Sequence, residues 1–459
     1  MRKSMKSKFR VSSRIVGRIF AVAWLGGAVT AAGAATSFAP YVDVTIYPTP
    51  SIDQIGVRQG IQQFNLAFVV AGGGCSPSWG GVQPVADPSS DLVRAVRAGI
   101  SNFRAKGGEV AVSFGGANGT PLMQACNSVS ALKTAYQTVL DTYTLSRIDF
   151  DIEGASQQDT AALMRNFQAV AQLQSDFAAR GKALHVTLTL PAMPYGLTSE
   201  GVNILNTAIQ NKVVFDVVNL MTMDYGTANV DMGAAAISAA QSLYSQLDAA
   251  FKAAGQPKTD GQLWQLVGLT PMIGMNDVQG ETFTLANAQT VANAAHTNGY
   301  GMVGMWSISR DQPCPNNGAY TAPTCSGVTQ QPHDFSAVFT GLSGHWGSGV
   351  ARDPSYAGGE GGSSGGSVTP GSAWSSTQIY TAGMTVTYQG GTYRAQWWTQ
   401  GDIPGQASVW KALGGVVQEW MSSVAYQGGQ CVLYQGAKYC AKWWTRGDVP
   451  TAGGVWIKS

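Results

Sequence analysis

The sequence predicts an α/β protein: a closed (β/α)8 barrel followed by two small all-β modules. Three observations carry that prediction. Eight short apolar runs alternate with segments of helical length between residues 41 and 306. The composition then changes after about residue 346 to a Gly- and Ser-rich stretch. Beyond that stretch the chain repeats itself at an offset of 46, Trp374 to Trp420.

The apolar runs read as strands at 41–47, 64–70, 109–114, 147–152, 184–190, 214–220, 265–270 and 301–306. Segments such as TAALMRNFQAVAQLQSDFAARG lie between them, with apolar residues at helical spacing. Eight such alternations over about 300 residues suggest a TIM-type barrel spanning 36–346. A doubly wound open sheet is the alternative, though no GxGxxG follows the first run. Residues 347–372 lack apolar periodicity and read as a flexible linker. The repeats then form modules at 373–413 and 419–459. Each is too small for a large core, so short strands and tight turns are expected.

The N-terminus reads as an export signal over residues 1–35. MRKSMKSKFRVSSRIVGR holds seven Lys or Arg and no acid, and IFAVAWLGGAVT is a short apolar run. Small residues near Ala34 and Ala35 offer a cleavage site. The run is shorter than the roughly 20 residues a membrane span needs. A secreted, extracellular protein is the expectation.

Six cysteines in an exported chain suggest disulfides. The expected pairs are Cys75–Cys126, Cys314–Cys325 and Cys431–Cys440. A two-residue turn at Gln435-Gly436 places Cys431 opposite Cys440. At such a site the Cα atoms lie about 4.5 Å apart, within disulfide range.

Charged residues are only 12% of the chain and the formal net charge is +2, which suggests neither a nucleic acid nor a membrane partner. Aromatics reach 10%, with 13 Trp, so recognition by stacking is the better expectation. No CxxC pair suggests zinc, and the four histidines stand apart in sequence. No metal or organic cofactor is implied, and a monomer is expected. AGGGCSPSWGG, Ala71 to Gly81, reads as a loop pinned by Cys75, with Trp79 a candidate for a binding subsite.

The chemistry concentrates in IDFDIE, Ile148 to Glu153. Strand side chains alternate, so Asp149, Asp151 and Glu153 share one face and Phe150 and Ile152 the other. In a barrel the acids would climb the interior toward the C-terminal mouth, where barrel enzymes carry their catalytic groups. Crowded carboxylates cannot all ionise cheaply, and a carboxyl that keeps its proton near neutral pH is what a general acid needs. A cation site or a capped strand end is the structural alternative.

IDFDIEG closely resembles the core of the DxxDxDxE signature of glycoside hydrolase family 18, the chitinase family, and the resemblance extends over most of residues 41–310. VSFGG, Val112 to Gly116, is similar to that family's SxGG motif. MTMDY, Met221 to Tyr225, falls where its sixth strand supplies active-site groups, and Trp306 falls where it places a Trp under the reactive sugar. The resemblance implies that Glu153 protonates the glycosidic oxygen. It implies that Asp151 orients the substrate acetamide and that Asp149 shares a proton with Asp151. Asp224 and Tyr225 join them as catalytic candidates. Tyr47, Gly115, Gly116, Met221, Met223 and Trp306 are the implied substrate contacts. Two departures stand out. Ser146 replaces the first signature Asp, and Met223 holds the place of a Tyr, so Tyr225 becomes the candidate hydroxyl.

AQWWTQGDIP and AKWWTRGDVP resemble the short chitin-binding modules of carbohydrate-binding families 5 and 12. That resemblance makes Trp374, Trp397, Trp398, Trp420, Trp443 and Trp444 candidate binding residues. Adjacent strand residues point opposite ways, so one Trp of each pair is expected exposed and the other buried. Together the resemblances imply a secreted chitinase acting on chitin and N-acetylglucosamine oligosaccharides, with retention. An endo-β-N-acetylglucosaminidase on the same fold and a non-catalytic chitin-binding lectin are the alternatives.

Overall fold

The computed structural model describes residues 35–358 and most of 372–458. The expected export signal, apart from Ala35, lies outside the described residues, as do 359–371 of the expected linker.

Eight parallel strands close into a barrel. The first, β1, is in two pieces, Ser37–Phe38 and Tyr41–Asp43. Pro40 between them has no N–H to give a ladder. The first piece pairs with β8, Met302–Val303, and the second with β2, Gln63–Ala71. The ring is completed by β3 (Glu109–Gly115), β4 (Arg147–Asp151), β5 (His185–Met193), β6 (Val217–Met221) and β7 (Val267–Thr270). Each pairs in parallel with the next. This order closes on itself and excludes the open doubly wound sheet.

The strands hold because both faces are covered. Val110, Val112, Phe114, Ile148, Phe150, Val186, Leu188, Val218 and Leu220 are all buried. The outer cover consists of α1 (Ile52–Gln59), α2 (Asp91–Ala105), α3 (Val129–Tyr143), α4 (Thr160–Ala179), α5 (Ser199–Gln210), α6 (Met232–Ala253), α7 (Leu285–Asn298) and α8 (Asp334–Phe339). In α4 the buried Leu163, Phe167, Val170, Leu173 and Phe177 recur at helical spacing. The Asp159 side chain caps that helix by accepting from the Ala162 N–H at 2.9 Å.

Of the runs 265–270 and 301–306 only Val267–Thr270 and Met302–Val303 are strand, and three further sequence expectations change. The run 41–47 is a strand only through Asp43. The Asp43 carboxylate accepts from the Thr45 N–H at 2.9 Å and its hydroxyl at 2.6 Å, which turns the chain out of the ladder. The run at 214–220 forms strand only from Val217, because the Asp216 side chain takes the Val186 N–H.

The third change moves a domain boundary. The linker was expected from residue 347, yet residues 346–358 are packed on the barrel. Trp346 lies against Ala39, Val217 and Met302, with the Arg147 guanidinium 4.8 Å from its ring centre. Val350 is buried. The Asp353 N–H donates to the Val57 carbonyl at 2.8 Å, and the Tyr356 hydroxyl to Asp53 at 3.2 Å. Arg58 donates to the Tyr356 carbonyl at 2.7 Å. These contacts are backbone hydrogen bonds and single side chains, which leave no periodic signal in the sequence.

Each C-terminal repeat is a small sheet. Ser372–Ala373, Thr385–Tyr388, Gly391–Ala395 and Trp410–Leu413 pair in one. Gln418–Glu419, Cys431–Tyr434, Ala437–Ala441 and Trp456–Lys458 pair in the other. The second hairpin has Cys431 opposite Cys440, the register read from the turn, and the two are bonded. Cys75–Cys126 and Cys314–Cys325 are the other disulfides.

Candidate active site

The acid row lies on β4 as alternation dictates. Asp149 pairs across the ladder with Ser113 and Thr187, and Asp151 with Gly115 and Thr189. Phe150 points outward, stacked on Phe114 at 5.6 Å between ring centres and edge-on to Tyr136 at 5.3 Å. The apolar outer face thus anchors the strand, and the inner face carries the carboxylates.

Asp149 is fully buried and saturated with hydroxyl donors. Its Oδ2 accepts from Ser113 at 2.6 Å and Tyr41 at 3.0 Å, and its Oδ1 from Thr189 at 2.6 Å. Asn219 donates to both Tyr41 and Thr189, and Thr270 donates to Asn219. Six strands therefore meet in one buried network. Burial pushes the Asp149 carboxyl up to about 6, against the lowering effect of its Ser113, Thr189 and Tyr41 bonds. Burial, then the charges of Glu153 and Asp149, hold the Asp151 carboxyl well above the usual carboxylate range. Its Oδ1 is buried without a hydrogen-bond partner. Glu153 lies past the strand end, half-buried. Burial raises its carboxyl, a hydrogen bond with Asp151 lowers it, and the Asp224 charge raises it.

Asp151 and Glu153 open into a cavity of 430 Å³ at the C-terminal mouth of the barrel. Met221, Met223, Asp224 and Trp306 line it, as do Phe68, Asn118 and Asp277. The Trp306 ring stacks on Phe68 at 5.5 Å between centroids and meets Tyr41 at 6.3 Å. Gly115 and Gly116 have φ of +108° and +88°. A Cβ at Gly116 would come within 2.7 Å of the Phe68 ring, and one at Gly115 would strike the Asp151 carbonyl. Gly115 and Gly116 are not in the cavity lining themselves but back onto Asp151 and Phe68, which are, by close backbone approach.

Three candidates lie elsewhere. Tyr225 is 5% exposed and turned into the core, outside the cavity lining. The left-handed φ of +51° at Asp224 sends that side chain, and not the next one, into the cleft. Tyr47 is 77% exposed, also outside the lining, because the chain leaves the sheet at Asp43. Trp79 is fully buried and donates its Nε1–H to the Tyr143 hydroxyl at 2.7 Å, so it is a core residue and not a subsite. Tyr41, Thr189, Asn219 and Thr270 were missed. All sit on inward positions of runs already read as strands, which was the available signal.

In the repeats, Trp374 and Trp420 are partly buried, edge-on to Tyr388 and Tyr434 at 5.1 and 5.5 Å. Trp443 is 57% exposed. Trp397, Trp398 and Trp444 lie outside the described residues. Among the described residues no group of acids, His or Cys could hold a metal ion, and no helix is long and apolar enough to cross a membrane.

Fold and site define a class: an eight-stranded α/β barrel with a carboxylate acid–base site at its C-terminal mouth. Comparison with known proteins narrows it. The chain is 30% identical to the catalytic domain of a hyperthermophilic chitinase from Pyrococcus furiosus, with a TM-score of 0.58, covering 67% of this chain and 96% of that one. It is 38% identical over 319 residues to a probable bifunctional chitinase/lysozyme of Escherichia coli (strain K12), covering 66% of this chain and 34% of that protein. It is also 38% identical over 288 residues to Endochitinase 11 of Metarhizium anisopliae, covering 60% and 52%. The chain thus spans about a third and about half of the length of these two curated relatives. Carbohydrate-binding module family 5/12 matches residues 373–411 and 419–457. The chain belongs to the family 18 chitinases and ends in two carbohydrate-binding modules of family 5/12.

Proposed function

We propose that this protein is a secreted chitinase that hydrolyses β-1,4 links between N-acetylglucosamine units with retention of configuration. One observation carries the reading: the row Asp149, Asp151, Glu153 rises to a cavity lined by Asp151 and Glu153, and one carboxylate oxygen of Asp151 is buried without a partner. An amide N–H is the donor that oxygen lacks, and the substrate acetamide supplies one. Trp306 across the same cavity gives a flat apolar face for the sugar ring.

Glu153, whose carboxyl is raised by burial, gives its proton to the glycosidic oxygen as the C1–O bond breaks. The acetamido oxygen of the same sugar bonds to C1, so no enzyme nucleophile is needed. The oxazolinium ion carries positive charge, which Asp151 balances as its N–H bond to the acetamide strengthens. Asp149 takes up the proton that Asp151 gives away. Glu153, now a base, removes a proton from water as the oxygen bonds to C1 and the ring opens. Asp224, Met221 and Met223 line the same cavity. The two modules bind chitin through exposed aromatic faces such as Trp443.

Export is supported by the basic, then apolar, N-terminal sequence and by three disulfides. The test is reducing-sugar release from chitin oligomers and from peptidoglycan, with the product anomer read by NMR. β-Anomer formed first from chitin oligomers is expected. Turnover of peptidoglycan alone would reverse the substrate assignment, and turnover of neither would support the lectin alternative.

A further inference from the structure

The loops after β6 and β7 grip each other at one edge of the cleft. Asp224 is held at φ +51°, a region that non-glycine residues enter at a cost. What holds it there comes from a ribbon after β7, Gly274–Met275 paired with Thr282–Phe283. Glu281, 1% exposed, accepts the backbone N–H of Tyr225 at 2.9 Å and of Thr227 at 3.0 Å. Asn276, 2% exposed, accepts the Asp224 N–H at 3.3 Å. It also donates its amide to the carbonyls of Met272 and Gly274. Asp224 closes the clamp by accepting the Val278 N–H at 2.9 Å.

No Lys, Arg or His forms an ion pair with Glu281 among the described residues. A buried carboxylate is costly unless it is fully hydrogen-bonded. A neutral side chain would suffice for a loop that only had to be covered. A carboxylate makes two charge-assisted bonds, about twice as strong as neutral ones, to adjacent points of one turn. That strength is applied to the turn that aims Asp224 into the cavity.

We propose that Glu281, assisted by Asn276, is a positioning residue for the hydrolytic reaction, fixing the Asp224 turn so that its carboxylate stands beside Glu153. The inference rests on the reading of Glu153 as the proton donor. Glu153 is faced by Asp151 from its own strand and by Asp224 from the loop after β6. Asp224 is faced in turn by Asp277 and Glu281 from the loop after β7. The Arg310 guanidinium, bound to the carbonyls of Ile273 and Met275, is the cation that senses both Asp224 and Asp277. Asp224 in place keeps Glu153 protonated to higher pH. A loosened turn releases it.

The test is a double-mutant cycle in the full-length protein: Glu281→Gln, Asp224→Asn and both together. The rate kcat, KM and melting temperature are measured on a soluble chitin tetramer across pH. Glu281→Gln should lower kcat about tenfold, roughly 1.4 kcal/mol in the barrier. It should also move the alkaline limb of kcat to lower pH, because Glu153 loses its neighbouring charge. In the Asp224→Asn background it should cost less than about twofold more. Should Glu281→Gln fail to fold, Asn276→Ala leaves the carboxylate in place and should give the same limb shift with a smaller loss. Multiplying losses with an unmoved alkaline limb would make Glu281 a purely structural residue and overturn the proposal. A wild type inactive on the tetramer would overturn the reading of Glu153, and this inference with it.

Discussion

Thr189 and Asp149 lie on neighbouring strands inside the barrel, and the threonine hydroxyl donates to the carboxylate at 2.6 Å. That bond, with those from Ser113 and Tyr41, lowers the Asp149 carboxyl, yet burial still raises it from 3.8 to about 6. A carboxyl raised on folding stabilises the folded state fully below about pH 4. That contribution is lost as pH rises through about 6, and over two units it amounts to about 3 kcal/mol. Asp149→Asn stays neutral throughout. Its melting temperature should therefore gain on the wild type between about pH 4 and 7, over a fixed cost for the lost acceptor. The variant also removes one charge that raises Asp151, which acts in the same direction. Parallel melting-temperature profiles for the two proteins would refute the assignment.

Glu153→Gln should lower kcat by about 10²-fold to 10⁴-fold, because an amide keeps the shape but has no acidic proton to give. Binding of chitin oligomers should persist, since Trp306, Met221 and Met223 are untouched. Calorimetric titration and single-turnover assays on the same oligomer check both halves. Turnover near the wild-type rate would remove Glu153 from its role as the acid.

Asp151→Asn should cost about 10²-fold to 10³-fold in kcat, since an amide balances no charge on the oxazolinium ion. Stability should move the other way. The Asp151 carboxyl is raised by burial and by Glu153, so replacing it with a neutral group relieves strain that grows with pH. A variant that is both less active and more stable at pH 8 is the expected outcome, read from kcat and thermal melts. Loss of activity with equal loss of stability at every pH would mean that the substitution damages packing instead.

The barrel was legible because its strands are buried on both faces and read as near-continuous apolar runs. The acid row was legible because alternation forces Asp149, Asp151 and Glu153 onto one side. What escaped depends on contacts far apart in the chain. Tyr41 reaches Asp149 across 108 positions, and its inward place on a strand does not say which acid it meets. Tyr225 reads as a site residue in MTMDY because the left-handed backbone of its neighbour Asp224 leaves no trace in the sequence. Trp79 carried the same ambiguity: an indole beside glycines can be a platform or, as here, a core residue with its N–H satisfied by Tyr143. The strap at 346–358 failed for a third reason. Gly, Arg and Asp spaced without period look like linker, yet they answer specific carbonyls and N–H groups on α1 and its flanks.

That strap divides two truncations that the sequence would treat as equivalent. Removing residues 359–459 should leave the barrel intact, because the contacts of Trp346, Val350, Asp353 and Tyr356 all remain. Soluble oligomers should be cleaved as before. Insoluble chitin should be degraded more slowly, because two tethered modules raise the effective concentration of the site at the surface. Removing residues 347–459 strips the strap as well. It exposes what Val350 covers and frees the hydrogen bonds at Val57, Asp53 and Arg58, a loss of about 2–4 kcal/mol. For a domain this size that is a fall of roughly 3–6 °C in melting temperature. Both truncations should be compared with the full chain on soluble and insoluble chitin at matched concentration, with thermal melts alongside. If the shorter cut alone already lowers activity equally on both substrates, the modules support the barrel and do not tether it.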